Sequence, residues 1–226
     1  MKQNKYEEHI EDLLALQVLS ALFPDEYVPI TSSSLRPQSL VYVLNDILIN
    51  GRKTILEFGC GISTLLFGML SKSNDLNLNI ISVDHDADWI MVVKKYIEKY
   101  ALKQYVTLVH TPLIPYKCNS FQGLEWYDVK YIENYLSANF KQFQIDLVLI
   151  DGPPAYEKSI QFSRYPAMEF VINKLNSDRF SIFIDDTNRT GEKKIIELWE
   201  KEYGLKFKYL SKDFSFVSRG NSFNIK

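Results

Sequence analysis

Apolar residues along this chain fall into two kinds of run. One kind recurs every three to four positions, as on a helix with one buried face. The other is a short continuous stretch bounded by turn residues. Ile10, Leu13, Leu14, Leu16, Val18, Leu19 and Leu22 are of the first kind and predict a helix over Tyr6–Leu22, stopped by Pro24. A second helix is expected from Pro37, which suits a first turn, to Asn50, with Gly51 ending it. The pattern then changes. Lys53–Phe58, Asn79–Asp84, Val106–Val109, Ile145–Ile150 and Phe180–Ile184 read as strands. Thr64–Leu70, Trp89–Tyr100, Tyr165–Leu175 and Glu192–Tyr203 read as the helices that alternate with them. Leu205–Leu210 and Phe214–Arg219 predict two more strands with no helix between, hence an antiparallel pair at one edge.

Strands that alternate with helices imply βαβ units and a mostly parallel, doubly wound α/β sheet. The strands are apolar almost throughout, as strands covered on both faces are. The 226 residues suit one domain. Residues 1–50 would form an N-terminal helical cap. Residues 110–143, a long stretch with Pro112, Pro115, Trp126, Tyr127, Tyr131 and Tyr135, would be an insertion covering the active site.

Composition narrows the function classes. The formal net charge is −2, with no basic cluster, so no nucleic-acid partner is expected. No apolar run is long enough to span a bilayer and the first residues lack an apolar core segment, so neither a membrane nor a signal peptide is expected. Two cysteines, Cys60 and Cys118, make no disulfide framework, and a cytoplasmic location follows as the simpler expectation. His9, His85 and His110 have no metal-ligand spacing.

In an open parallel sheet, ligands bind beyond the carboxyl ends of the strands. The first strand ends in Glu57-Phe58-Gly59-Cys60-Gly61-Ile62-Ser63-Thr64, a turn that can pass close to a ligand and lead into a helix N-terminus. The bland alternative is a tight turn without a ligand. The second strand ends at Asp84, an acid roughly 20 residues on, where such folds hold ribose hydroxyls. The fourth strand ends in Asp151-Gly152-Pro153-Pro154 and the fifth in Asp185-Asp186. Three carboxylates at one rim need a compensating cation or donor. A hard divalent metal would serve, as would a ligand ammonium, and each Asp could instead simply cap its loop. Arg164 and Arg189 lie in the loops beyond, either as substrate-orienting groups or as structural arginines. Tyr156, Trp126 and Tyr127 are candidates for an apolar wall. Cys60 has no base beside it and is not expected to be a nucleophile.

Glu57-Phe58-Gly59-Cys60-Gly61 resembles the first motif of the class I S-adenosylmethionine-dependent methyltransferases. Asp84 resembles their ribose-binding acid, and Asp146–Gly152 their fourth-strand motif. The resemblance spans about residues 50–190. It implies a Rossmann-like seven-stranded sheet and methyl transfer to a small-molecule acceptor, through an oxygen nucleophile. It implies that Gly59 and Gly61 pass beneath the methionine part of the cofactor, that Glu57 supports the turn, and that Ser63 and Thr64 contact the carboxylate end. Asp84 would bind the ribose, with His85 beside the adenine and His110–Leu113 bordering it. Asp151 would also touch the cofactor. A narrower resemblance, to the catechol-type O-methyltransferases, adds magnesium held by Asp151, Asp185 and Asp186, with Asp186 in place of Asn. The lysine expected soon after Asp151 is missing, since Pro153 and Pro154 stand there. Asp151 or Asp185 is then the residue that positions or deprotonates the acceptor. The family further implies a homodimer formed through N-terminal helices.

Other readings stay open. A nicotinamide-dependent oxidoreductase would use the same turn and acid, but Thr64 stands where the third glycine of Gly-x-Gly-x-x-Gly belongs. A methyltransferase-like fold can also be a binding module without turnover. Asp151-Gly152-Pro153-Pro154-Ala155-Tyr156 superficially resembles a base-flipping motif, but the charge balance argues against a nucleic-acid substrate.

Overall fold

The protein is described from a computed structural model, which covers residues 5–23, 27–139, 143–220 and 223–226. Pro24, the expected stop of the first helix, lies outside the described residues. The chain opens with α1 (Lys5–Ser20) and α2 (Pro37–Ile49). Pro37 takes the first turn of α2, and Gly51 ends it with φ +64°, a left-handed conformation that glycine adopts without strain. The alternating section follows as β1 (Thr54–Phe58), α3 (Ile62–Ser73), β2 (Asn79–Asp84), α4 (Ala87–Lys99) and β3 (Val106–His110). Next come β4 (Leu113–Tyr116), β5 (Leu124–Tyr127) and α5 (Val129–Asn139). The remainder is β6 (Leu147–Ile150), α6 (Pro166–Val171), β7 (Phe180–Ile184), α7 (Thr190–Tyr203), β8 (Lys208–Tyr209) and β9 (Ser215–Arg219).

The main sheet has seven strands in the order β3-β2-β1-β6-β7-β9-β8. The first five in that order are mutually parallel. β9 runs antiparallel to both β7 and β8, which makes the expected edge pair. This is a Rossmann-like sheet, and its strand order reverses between β1 and β6. The segment between β3 and β6 carries elements that the sequence pattern did not predict. It is a separate antiparallel hairpin, β4 with β5, followed by a helix.

Strand alternation splits the core into two layers. Ile55, Ile80, Leu147, Leu149 and Phe183 face Leu40, Val43 and Phe67 on one side. Leu56, Phe58, Ile81, Val148, Ile150 and Ile182 face Trp126, Ile132, Met168, Ile195 and Trp199 on the other. Each large side chain buried this way contributes about 1.5–3 kcal/mol. Several polar groups inside are paired. Arg52 meets Asp46 at 2.9 Å and donates to Ser181 Oγ at 2.7 Å, so the start of β1 is pinned to α2 and β7. Asp146 accepts the main-chain N–H groups of Lys53 and Thr54. Asp146 thus sits at the amino end of the sheet, far along β6 from the rim, and its work there is structural.

Candidate active site

Strand register places the expected site. Phe58 lies opposite Val83 on one side and Ile150 on the other, and Ile150 lies opposite Ile184. The next residues of these four strands are Gly59, Asp84, Asp151 and Asp185. They therefore emerge side by side at the carboxyl rim, on both sides of the point where strand order reverses. A cleft of about 440 Å³ opens above them.

The turn after β1 is held from below. Glu57 is fully buried, and its carboxylate accepts hydrogen bonds from the hydroxyls of Ser63, Thr64 (2.5 Å) and Ser82 (2.5 Å). Burial pushes the Glu57 carboxyl up to about 7, against the pull of those three donors. Thr64 Oγ1 in turn accepts the Gly61 N–H at 3.0 Å. Glu57 and Thr64 are not among the residues lining the cleft, so neither is placed to touch a cofactor directly. They fix the backbone that does the lining, because a buried carboxylate must spend its lone pairs on nearby donors. Gly59, Cys60, Gly61 and Ser63 do line it.

Asp84 accepts the Cys60 N–H on one oxygen and the Asp86 N–H on the other, each at 2.9 Å. Burial would raise its pKa, but these bonds and His85, whose Nδ1 lies 3.3 Å away, hold it below the usual carboxylate range. Asp84 is therefore charged at neutral pH. Each of its oxygens keeps a lone pair for a ligand hydroxyl. The Asp84 carboxylate also holds the His85 imidazole above its ordinary pKa. Trp89, in the first turn of α4, lines the same wall and donates its indole N–H to the Cys60 carbonyl at 2.7 Å. Burial pushes the Cys60 thiol far up, which fits its expected lack of nucleophilic use.

Across the cleft stand Asp151, Asp185 and Asp186, with one carboxylate oxygen from each within 4.8 Å of the others. Burial raises the Asp151 and Asp185 carboxyls, with the neighbouring acids adding to it, and Asp185 reaches about 7. Their compensating cation is Arg164, only 3% exposed. Its Nη2 donates to the Asp151 carbonyl at 2.6 Å and lies 3.0 Å from Asp186 Oδ2. Its Nη1 donates to the Asp185 carbonyl at 3.1 Å. Asp186 holds a left-handed φ of +61°, tolerated better by Asp than by most residues, and also pairs with Arg189 at 2.8 Å. A divalent metal fits poorly here, because Asp186 is already committed to two guanidinium groups.

Other expected neighbours lie elsewhere. None of His110–Leu113 lines the cleft; His110 is exposed, and its Nε2 meets the His85 carbonyl at 3.1 Å. Trp126 is buried in the core against Phe58, with ring centroids 5.2 Å apart. From residues 110–143 only Tyr127 borders the cleft among the described residues, whereas residues 31–35 form one of its walls. Tyr156 lines the mouth and is 70% exposed. That wall belongs to the expected N-terminal cap, whereas Trp89 was not singled out from the sequence. A tryptophan in the first turn after the β2 acid was the available signal.

A family model described as a methyltransferase domain matches residues 56–187. No curated protein matches the sequence significantly. Among solved structures the chain is similar to an O-methyltransferase of Bacillus cereus in complex with SAH, at 16% identity and a TM-score of 0.54, over 93% of this chain and 90% of that one. It is similar to an SAH-bound methyltransferase of Podospora anserina, at 14% identity and a TM-score of 0.59, over 98% of each chain. It is also similar to the O-methyltransferase TomG of Streptomyces achromogenes in complex with SAM, at 10% identity and a TM-score of 0.56, over 98% of this chain and 92% of that one. At such identities the structural likeness speaks for the fold.

Proposed function

The chain belongs to the methyltransferase-domain family, and from that premise we propose that it transfers the methyl group of S-adenosylmethionine to the oxygen of a small-molecule acceptor. One observation carries the reading most: the Gly59–Ser63 turn and the charged Asp84 are hydrogen-bonded into a single unit that lines the same cleft as Asp151 and Asp185. Family membership favours neither a nicotinamide oxidoreductase nor a module without turnover.

When bound, S-adenosylmethionine supplies a methyl group already activated by its sulfonium. The chain's part is to bind, align and exclude water. Asp84 accepts from the ribose hydroxyls. Gly59 and Gly61 let the methionine part approach the backbone, and Ser63 stands at the start of α3, where free N–H groups favour a carboxylate. His85 and Trp89 flank the base. Beside the cofactor a carboxylate of the rim would hold the acceptor oxygen in line with the methyl group and take the proton the acceptor gives up on methylation. Asp185 suits that role better than Asp151, because a base titrating near 7 is both available and able to accept a proton at neutral pH. Residues 31–35 act as the cap over the site, and Tyr127 brings the insertion to it.

The outer face of α1 supports a homodimer. Ile10, Leu13, Leu14 and Val18 are exposed there at helical spacing, a larger apolar stripe than scattered surface residues produce. No described helix is long and apolar enough to cross a membrane. A cytoplasmic location is part of the same proposal.

Titration calorimetry with S-adenosylmethionine and SAH tests the reading. Micromolar binding is expected, lost in Asp84→Ala. Absence of binding for both ligands at millimolar concentration overturns it.

A further inference from the structure

The carboxylate rim has a cation built into the protein. Arg164 is buried, and its guanidinium touches the rim at several points. Nη2 meets the Asp151 carbonyl at 2.6 Å, Asp186 Oδ2 at 3.0 Å and Asp151 Oδ1 at 3.5 Å. Nη1 meets the Asp185 carbonyl at 3.1 Å, and Nε meets the Pro153 carbonyl at 3.3 Å. One planar group therefore ties the end of β6 to the end of β7 while neutralising the acids that emerge there. Arg189 Nη1 adds a second positive contact to Asp186, at 2.8 Å.

A divalent ion held by Asp151, Asp185 and Asp186 would sit beside both guanidinium groups, which already hold Asp186 Oδ2. Like charges that close in a buried site repel strongly. The main chain offers such an ion little more, because the Asp151 and Asp185 carbonyls already accept from Arg164. The guanidinium fork suits this task where an ammonium would not. It reaches three carbonyls and two carboxylates at fixed angles, and it stays charged at any working pH.

The geometry points to Arg164 as the resident cation of this rim: a positioning residue that replaces a catalytic metal, holds Asp151 and Asp185 at the cleft, and makes the protein metal-independent. The inference concerns the same cleft as the methyl-transfer reading, and rests on that reading only in the choice of SAH as one readout.

The test uses Mn²⁺ as probe on the chelator-treated full chain, followed by paramagnetic resonance, with thermal melts and SAH titrations alongside. The wild type is expected to bind no Mn²⁺ up to millimolar concentration. Its SAH affinity is expected to change less than twofold between excess chelator and excess magnesium. Arg164→Met is expected to melt lower, to bind one Mn²⁺ at least tenfold more tightly than the wild type, and to regain melting temperature with magnesium. Arg164→Met/Asp185→Asn is expected to lose that binding. Should Arg164→Met fail to fold, Arg164→Lys replaces it. That variant keeps a charge but cannot span both strand ends, and is expected to melt lower while still rejecting Mn²⁺. Stoichiometric Mn²⁺ binding by the wild type, or SAH binding that chelator abolishes and magnesium restores, overturns the inference. So does a folded Arg164→Met that gains no affinity for Mn²⁺. If the wild type binds no SAH at all, the methyl-transfer reading fails while the Mn²⁺ arms still decide this one.

Discussion

The main-chain N–H of Cys60 donates to Asp84 Oδ2 at 2.9 Å. The glycine turn after β1 and the acid that ends β2 are therefore one mechanical unit, and a change at either end moves both. Asp84→Asn shows the consequence. Asp84 accepts main-chain N–H groups on both oxygens, so whichever way an Asn amide is turned, one of those N–H groups faces another donor. An orphaned buried donor costs about 1–3 kcal/mol. Thermal melts are expected to show that loss, and calorimetry at least a tenfold loss of SAH affinity, about 1.4 kcal/mol. A variant that melts like the wild type would show that Asp84 does not hold the turn.

Tyr127 illustrates a different kind of strain. Its ring stacks on Phe58, with centroids 5.7 Å apart, yet its fully buried hydroxyl has no hydrogen-bond partner among the described residues. A buried unsatisfied hydroxyl lowers stability, and removing it while keeping the ring is neutral or favourable. Tyr127→Phe is therefore expected to match the wild type's unfolding free energy or to exceed it, by up to about 1 kcal/mol. A loss of more than that in denaturant unfolding would mean the hydroxyl has a partner after all.

The acids at the rim set the pH response. Burial, with Asp186 beside it, pushes Asp185 up to about 7, and burial pushes Glu57 to about 7. Between about pH 4 and 7 the unfolded chain releases protons that the folded chain keeps, since free carboxyls titrate near 4. The folded state then binds more protons, so stability falls as pH rises, and the full loss is in place above 7. His85 acts in the same direction. Its folded pKa is raised, so its contribution is present below its ordinary value and fades as pH rises through the folded one. Asp84 acts oppositely and weakens the fold only at more acid pH. The melting temperature is expected to peak near pH 5 and to drop by roughly 10–20 °C towards pH 8, for a loss on the order of 5 kcal/mol, since two carboxyls each keep a proton over about two pH units in which the unfolded chain has released it. Asp185→Asn, neutral throughout, is expected to flatten the slope and to melt above the wild type at pH 8. An unchanged slope would remove Asp185 from this account.

Much of this was legible in the chain because parallel strands covered on both faces must be apolar. Phe58, Val83, Ile150 and Ile184 mark four strand ends, and the residues that follow them are the rim. Pro37 and Gly51 marked the limits of α2 by backbone geometry alone. The hairpin of β4 and β5 was not legible. It is only four residues per strand and carries Pro115, so its alternation is too short to register. The role of Arg164 was equally hidden. Sequence shows a charge but not its burial, which depends on how residues 155–165 fold back over the ends of β6 and β7. Asp146, the first residue of the fourth-strand motif, lies at the opposite end of the sheet, where it accepts the N–H groups of Lys53 and Thr54.

The stripe on α1 predicts association. Ile10→Glu together with Leu13→Glu places charges on an exposed apolar face without touching the buried side of the helix, where Ala15 and Leu19 pack. Light scattering is expected to give a dimer for the wild type and a monomer for this variant, with melting temperature largely kept. A wild type that runs as a monomer at tens of micromolar would remove the dimer.

Gly152 and Gly61 separate the support of the cleft from its lining. A methyl group on Gly152 would lie 2.6 Å from the Tyr127 hydroxyl and 2.9 Å from both the Cα and the N of Gly59. Those contacts cannot be relieved by a side-chain rotation, because Gly59 is backbone and Tyr127 is wedged against Phe58 and Trp126. Gly152→Ala must therefore push the ends of β1 and β6 apart, at about 1–3 kcal/mol. The shift moves Gly59, so SAH affinity is expected to fall along with stability. Adding Tyr127→Phe removes one clash and leaves the two against Gly59, so only part of the loss should return. Gly61 contrasts with this. It has an extended backbone, φ 177°, and no atom lies within 4 Å of where its methyl would be. Gly61→Ala is expected to melt like the wild type while weakening SAH binding, because that open space is the cleft itself. Equal SAH affinity for Gly61→Ala and the wild type would show that the ligand does not pass over this turn, and full recovery in Gly152→Ala/Tyr127→Phe would show that the two strand ends are not in close backbone contact.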